Sequence, residues 1–196
     1  MKYFFSLRKY IFLLSLQKVV ILNVQNGFKV IVKNKEMKIR TGIGIDVHRL
    51  EEGLDLWLGG IKVEHEKGCV AHSDGDVLIH AICDALLGAA GMRDIGYHFP
   101  DTSDAFKGID SKILLKKTVE LLKENGFEIG NIDSVICMQR PKLKSLIPQM
   151  QSCLAEVMGI EKEAVSVKAT TTEKLGFEGR EEGVSAYATV LIYRKE

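Results

Sequence analysis

The chain has 196 residues, of which 46% are hydrophobic and 27% charged, with 18 glycines, three prolines and a formal charge of +1. That balance is the balance of one soluble globular domain, and it excludes collagen-like, disordered and disulfide-scaffold architectures. Seven of the 27 basic residues and one of the 26 acidic residues lie in positions 1–36, so the body carries 20 basic against 25 acidic residues, a balance of −5, and offers no footprint for nucleic acid.

Residues 1–36 mix Phe, Leu, Ile and Val with Arg8, Lys9 and Lys18, which interrupt the apolar run before it reaches the roughly 18 residues that span a bilayer. Neither a membrane span nor a secretory signal is expected there. Two readings remain: a transit peptide, or a reading frame whose true start is Met37. The domain proper is taken as 37–196, and all five histidines lie in it.

In chain order, alternation predicts strands over 38–47 and 54–58, the second followed by the turn Gly59-Gly60. Residues 74–90 have a helical period, with Ser73 as N-cap and Gly91 as stop. An irregular stretch, 92–108, precedes a second helix capped by Ser111 and closed by Asn125-Gly126. A strand over 132–138, a helix over 148–158, a strand over 164–168 and a final strand over 183–193 complete the pattern. Strands alternating with helices in one unit predict an α/β (α+β) fold with a single mixed β-sheet covered by helices. Gly42 and Gly44 lack the third glycine of a dinucleotide loop and are read as strand positions closely approached by another part of the chain. Cys69, Cys83, Cys137 and Cys153 show no CxxC spacing and are read as free thiols of a reducing compartment.

Asp46 and His48 stand two apart at the end of the first strand, so their side chains share a face. His80, on the first helix, is the third candidate: two imidazoles and a carboxylate leave one corner of a tetrahedral ion open. The ordinary alternative is a core or surface histidine on an amphipathic helix. Asp76, His80 and Asp84 follow at intervals of four, either as carboxylates orienting a ligating imidazole or as an exposed helix face. His72 and Ser73, just ahead of the helix, can offer donors to an anion, whereas His65 and His98 default to surface roles. The segment 170–180 gathers Thr170, Thr171, Thr172, Glu173, Lys174 and Arg180 in a loop punctuated by Gly176 and Gly179. This chemistry suits a diphosphate with a hard cation, or else a polar connection between strands. Asp94 and Asp101, with Lys107 nearby, form a second irregular stretch suited to a polyol, or a solvated lid.

In combination, residues 44–48, 72–76 with His80, 94–101 and 170–176 resemble the 2-C-methyl-D-erythritol 2,4-cyclodiphosphate synthase family across essentially all of 38–194. The resemblance implies a homotrimer with active sites between subunits and a cytidine diphosphate substrate that is cyclised with release of CMP in non-mevalonate isoprenoid biosynthesis. It implies Zn2+ on Asp46, His48 and His80, and a second divalent cation, Mg2+ or Mn2+, on Glu173. By position, His72 and Ser73 match phosphate contacts. Asp94, Gly96 and Asp101 match the loop that holds methylerythritol, with Lys107 beside it. Met138, Pro141, Lys142, Leu143, Ala169, Thr170 and Thr171 match the cytidine side supplied by a facing subunit, Thr172, Phe177 and Arg180 are carried over as further substrate-binding positions, and Arg180 matches a basic position near the trimer axis. No nucleic acid or membrane partner is implied, and the expected location is the cytoplasm, or a plastid-type organelle if 1–36 is a transit peptide. A zinc phosphohydrolase and a non-catalytic trimeric binding module are the competing readings.

Overall fold

A computed structural model describes residues 17–24, 27–34, 37–100 and 106–195. The first elements are β1 (Gln17–Val24), β2 (Gly27–Asn34), β3 (Met37–Glu52), β4 (Leu56–Leu58), β5 (Ile61–Val63) and β6 (Lys67–Val70). Helix α1 (Val77–Ala90), the short α2 (Ile95–His98) and α3 (Ser111–Glu124) follow, then β7 (Phe127–Cys137), α4 (Ile147–Met158) and a 3-10 turn (Lys162–Ala164). The last elements are β8 (Val165–Thr170), the one-turn α5 (Gly176–Gly179) and β9 (Gly183–Lys195). The described residues fall into two compact units, one holding β1 and β2, the other residues 39–193.

β1 and β2 pair antiparallel, with Val24 opposite Gly27. No element had been expected there, although two β-branched runs around Asn26-Gly27 are a hairpin pattern. In the second unit five strands form one mixed sheet in the order β6-β3-β9-β7-β8. β3 and β6 are antiparallel, with Arg49 opposite Val70. β7 and β8 are parallel, with Ile132 opposite Val165, joined through α4 as parallel strands require. β4 and β5 make a separate small hairpin.

Local chemistry sets the element ends. The first helix starts at Val77, not 74, and Asp76 rather than Ser73 is its N-cap: the Asp76 carboxylate accepts from the Ile79 N–H at 3.0 Å. Gly75, at φ +72°, turns the chain out of the helical path and forbids an earlier start. Likewise α3 is capped by Asp110, which accepts from the Lys112 N–H, and Ser111 becomes its fully buried first residue. β4 is shorter than the expected 54–58 and β7 starts five residues before 132, while β5 and β6 are too short to leave a periodic signal.

The core is one cluster joining α1, α3 and α4 to one face of the sheet, with Leu78, Ile82, Leu86, Leu115, Leu122, Ile132, Ile136, Met150 and Ile192 essentially inaccessible to solvent. From Gly42 to Leu50 of β3, even-numbered residues are covered or partly covered and odd-numbered ones exposed. Ile39, Ile43, Ile45 and Val47 are about half exposed, and Tyr187 of β9 is also exposed.

Candidate metal centre

Gly42 and Gly44 bring strand and helix into contact. A Cβ on Gly42 would stand 2.0 Å from the Ala85 carbonyl oxygen, and one on Gly44 would stand 2.0 Å from that of Ala81. Only glycine permits so close a crossing. Because side chains alternate along a strand, the next residues on that same face are Asp46 and His48, and the residue before Ala81 on the helix is His80. The packing that needs the glycines therefore delivers three polar side chains to one point.

There, His80 Nδ1 lies 2.9 Å from Asp46 Oδ2 and 3.1 Å from His48 Nε2, and His48 Nε2 lies 3.1 Å from Asp46 Oδ2. Three ligands of one tetrahedral zinc at ordinary bond lengths stand about 3.3 Å apart, so the donor set fits such an ion. Among the described residues, these three form the one group of His, Cys, Asp and Glu with ligand atoms close enough to share a metal. Burial opposes the charge on Asp46, yet the hydrogen bonds and positive potential of His48 and His80 hold its carboxyl well below the usual range. Burial likewise disfavours a charged His80, but the Asp46 carboxylate, together with the negative potential of Asp76 and Asp74, outweighs it and raises the imidazole pKa.

The far side of His80 is held by residues the sequence had not assigned to this task. His80 Nε2 is 2.9 Å from Ser111 Oγ and 3.2 Å from Ser73 Oγ, and Ser111 donates to Asp74. Asp76 and Asp84 do not orient the ring, and they do not form an exposed face. Asp76 is fully buried and also accepts from the Gly59 and Gly60 N–H groups, while Asp84 accepts from the Ile95 N–H. Burial raises both carboxyl pKa values. His65, expected at the surface, has a side chain only 3% exposed.

Of the other expected site residues, His72 accepts at its carbonyl from the Gly108 N–H. Asp94 caps α2 by accepting from Tyr97 N–H, which leaves Gly96 exposed in that turn. Asp101 lies outside the described residues, and Lys107 is exposed. Met138 and Leu143 are buried in the core, with the Met138 N–H donating to the Thr170 carbonyl and the Leu143 carbonyl accepting from Leu146 and Ile147 N–H, whereas Lys142, Ala169 and Thr170 are exposed. In the loop after β8 each threonine hydroxyl donates locally: Thr170 to the Thr171 carbonyl, Thr171 to Glu173 Oε1 at 2.8 Å and Thr172 to the Leu175 carbonyl. Glu173 and Lys174 have left-handed backbones, at φ +54° and +66°. Phe177 is partly exposed against Gly183, and Arg180 pairs with Glu182. The loop is anchored at both ends of its turn: Gln139 accepts from Lys174 N–H, and Arg140 binds both Glu66 and Glu181.

The YgbB family profile matches residues 39–193, the whole of the second unit. This chain belongs to the YgbB family, that of the 2-C-methyl-D-erythritol 2,4-cyclodiphosphate synthases. The YgbB relative from Bacteroides fragilis bearing that synthase name is 71% identical over 158 residues, 81% of this chain and 99% of its own length. Among solved YgbB structures, a 2C-methyl-D-erythritol-2,4-cyclodiphosphate synthase in its CDP-bound form superposes with a TM-score of 0.73 at 36% identity, over 78% of this chain and 99% of that one. The bifunctional IspDF from Campylobacter jejuni gives 0.79 at 45% identity, over 82% of this chain but 44% of that one. As a YgbB member the chain is an enzyme with a divalent-metal site, built as a mixed sheet covered by helices. No helix among the described residues is long and apolar enough to cross a membrane.

Proposed function

We propose that the chain converts 4-diphosphocytidyl-2-C-methyl-D-erythritol 2-phosphate to 2-C-methyl-D-erythritol 2,4-cyclodiphosphate and CMP, the step in non-mevalonate isoprenoid biosynthesis that its relatives' name describes. The observation that carries this reading is the meeting of Asp46, His48 and His80, from a strand and a helix, around a point that fits one metal ion. In this reading those three residues hold Zn2+, and Glu173, steadied by the Thr171 hydroxyl, holds Mg2+ or Mn2+. When bound, the two ions supply Lewis acidity toward phosphate oxygens and charge neutralisation for the departing CMP.

The reaction needs no protein nucleophile. A 2-phosphate oxygen of the substrate bonds to the β-phosphorus, the bond from that phosphorus to the bridging oxygen breaks, and CMP leaves with the oxygen. The protein's task is to bring two anionic ends of one flexible molecule into line, and such positioning lowers barriers by on the order of 7 kcal/mol in well-oriented intramolecular models. His72 and Ser73 receive phosphate. Asp94, Gly96 and Asp101 hold the methylerythritol hydroxyls, with Lys107 at the rim. Met138, Lys142, Leu143, Ala169, Thr170, Thr171, Thr172 and Phe177 serve the cytidine diphosphate side, and Arg180 adds a substrate-side cation near the trimer axis.

The half-exposed row Ile39, Ile43, Ile45 and Val47 supports assembly into a homotrimer, because an apolar sheet face of this kind is ordinarily covered. In this reading the active sites lie between subunits, and the CDP-bound form of a relative supports a nucleotide ligand. In this reading residues 37–196 are the synthase domain, residues 1–36 are an N-terminal extension, and the enzyme works in the cytoplasm.

Incubating the purified chain with the cytidyl substrate and following phosphorus by NMR tests the proposal. Cyclic diphosphate with equimolar CMP is the expected result. Release of linear phosphate would assign a hydrolase instead, and binding of CDP without turnover a non-catalytic module.

A further inference from the structure

His80 has two ring nitrogens, and only one can face the metal site. Nδ1 does so, which leaves Nε2 pointing at Ser111 Oγ. Ser111 is fully buried, and its hydroxyl has one proton to give and two polar neighbours, His80 Nε2 at 2.9 Å and Asp74 Oδ1 at 2.5 Å. Asp74 Oδ2 meanwhile accepts from the Ser111 N–H at 2.9 Å, so both carboxylate oxygens address the same serine. An ionised carboxylate only accepts. The hydroxyl proton therefore goes to Asp74, and what Ser111 turns toward His80 is a lone pair. Nε2 must then carry a ring proton, and when a metal displaces the proton that Nδ1 shares with Asp46, it is the Nδ1 lone pair that is aimed at the point shared with Asp46 and His48. Ser73 Oγ is the more distant partner of Nε2, and it already accepts from the Gly75 N–H.

We propose that Asp74 and Ser111 are a positioning dyad, in which Asp74 orients the Ser111 hydroxyl and that hydroxyl fixes His80 as the Nε2–H tautomer with Nδ1 presented to the metal. This rests on the reading that Asp46, His48 and His80 bind a divalent ion. The dyad joins two segments 37 positions apart, the turn before α1 and the first residue of α3. They are also stitched by Gly108 N–H to the His72 carbonyl and Asp74 N–H to the Ile109 carbonyl. The residues that lead from the polyol loop into α3 therefore share a hydrogen-bond chain with a metal ligand.

The test is zinc binding to the full chain, measured by competition with a chromophoric chelator, together with the visible spectrum of the cobalt-loaded protein. Outer partners of ligating histidines commonly change metal affinity about 10- to 100-fold. Ser111→Ala and Asp74→Asn are each expected to weaken zinc within that range and to shift the cobalt bands, and the double variant should bind no more weakly than Ser111→Ala alone. Ser111→Thr, which keeps the hydroxyl, should restore affinity. A role confined to tying the two segments together would lower the melting temperature without moving affinity or spectrum. If the parent binds zinc and either single variant stays within about tenfold of it, below that range, the dyad is overturned. Should the variants fail to fold, nitrogen NMR of the zinc-loaded parent decides: a protonated Nε2 on His80 supports the proposal, and a protonated Nδ1 overturns it. A parent that binds no zinc overturns the metal reading itself, and this inference with it.

Discussion

Gly44 lies against the carbonyl of Ala81 so closely that a single added methyl would sit 2.0 Å from its oxygen. Strand and helix cannot both stay where they are with any larger residue, and the two metal ligands of β3 begin two residues further on. Gly44→Ala should displace α1 and separate His80 from Asp46 and His48. The expected cost is about 1–3 kcal/mol or more of stability from overpacking, together with loss of tight zinc binding. Melting curves and a zinc titration of the same variant check both parts.

Stability of the zinc-free protein should peak in mildly acidic solution. Asp46 has its folded pKa depressed below 3.8, so its contribution is present above that pH and is lost on acidification. His80 has its folded pKa raised above 6.5, so its contribution is complete below 6.5 and disappears as pH climbs through the raised value. Melting temperatures of chelator-treated protein should thus fall above about pH 6.5, and Asp46→Asn should flatten that slope. Zinc needs a neutral imidazole, so zinc affinity should rise across the same interval.

Asp76 is a structural acid in a catalytic neighbourhood. It caps α1 and holds the Gly59-Gly60 turn through three N–H donors while fully buried. Replacing it with Asn turns an NH2 toward the Gly60 donor and leaves that group unsatisfied, at a cost of about 1–3 kcal/mol. Denaturant unfolding should register the loss, while the zinc-saturated variant should retain its metal.

Glu173→Gln should leave zinc stoichiometry unchanged and raise the Mg2+ concentration needed for half-maximal turnover. It keeps an acceptor for the Thr171 hydroxyl but removes the charge that a hard cation prefers. A steady-state Mg2+ titration with zinc held constant separates the two ions, and an unchanged requirement would count against the role assigned to Glu173.

Much of the architecture can be read from periodicity, and its failures have local causes. The amphipathic helices and the long final strand announce themselves through spacing, whereas β5 and β6 span three and four residues, too few for a period. Asp46 and His48 are legible because a strand forces alternate residues to one face, and the Gly42 and Gly44 reading as a site of close approach agrees with the helix found there. Sequence spacing misassigned Asp76 and Asp84, because an interval of four shows a shared helix face but not what covers it. Ser111 and Asp74 were hidden for a different reason: serine after an aspartate at a helix start looks like capping, and only the fold shows that the hydroxyl points at an imidazole.

Arg140 ties Glu66 and Glu181 together at the surface, where all three are well solvated or only partly covered, whereas the triad lies mostly out of solvent. Exposed ion pairs weaken as dissolved salt screens them, over roughly 8 Å at physiological ionic strength, and sheltered ones respond far less. The two groups thus obey different masters: the electrolyte sets how firmly the Arg140 cluster is latched, while the hidden nest keeps its shape in dilute buffer and in brine alike.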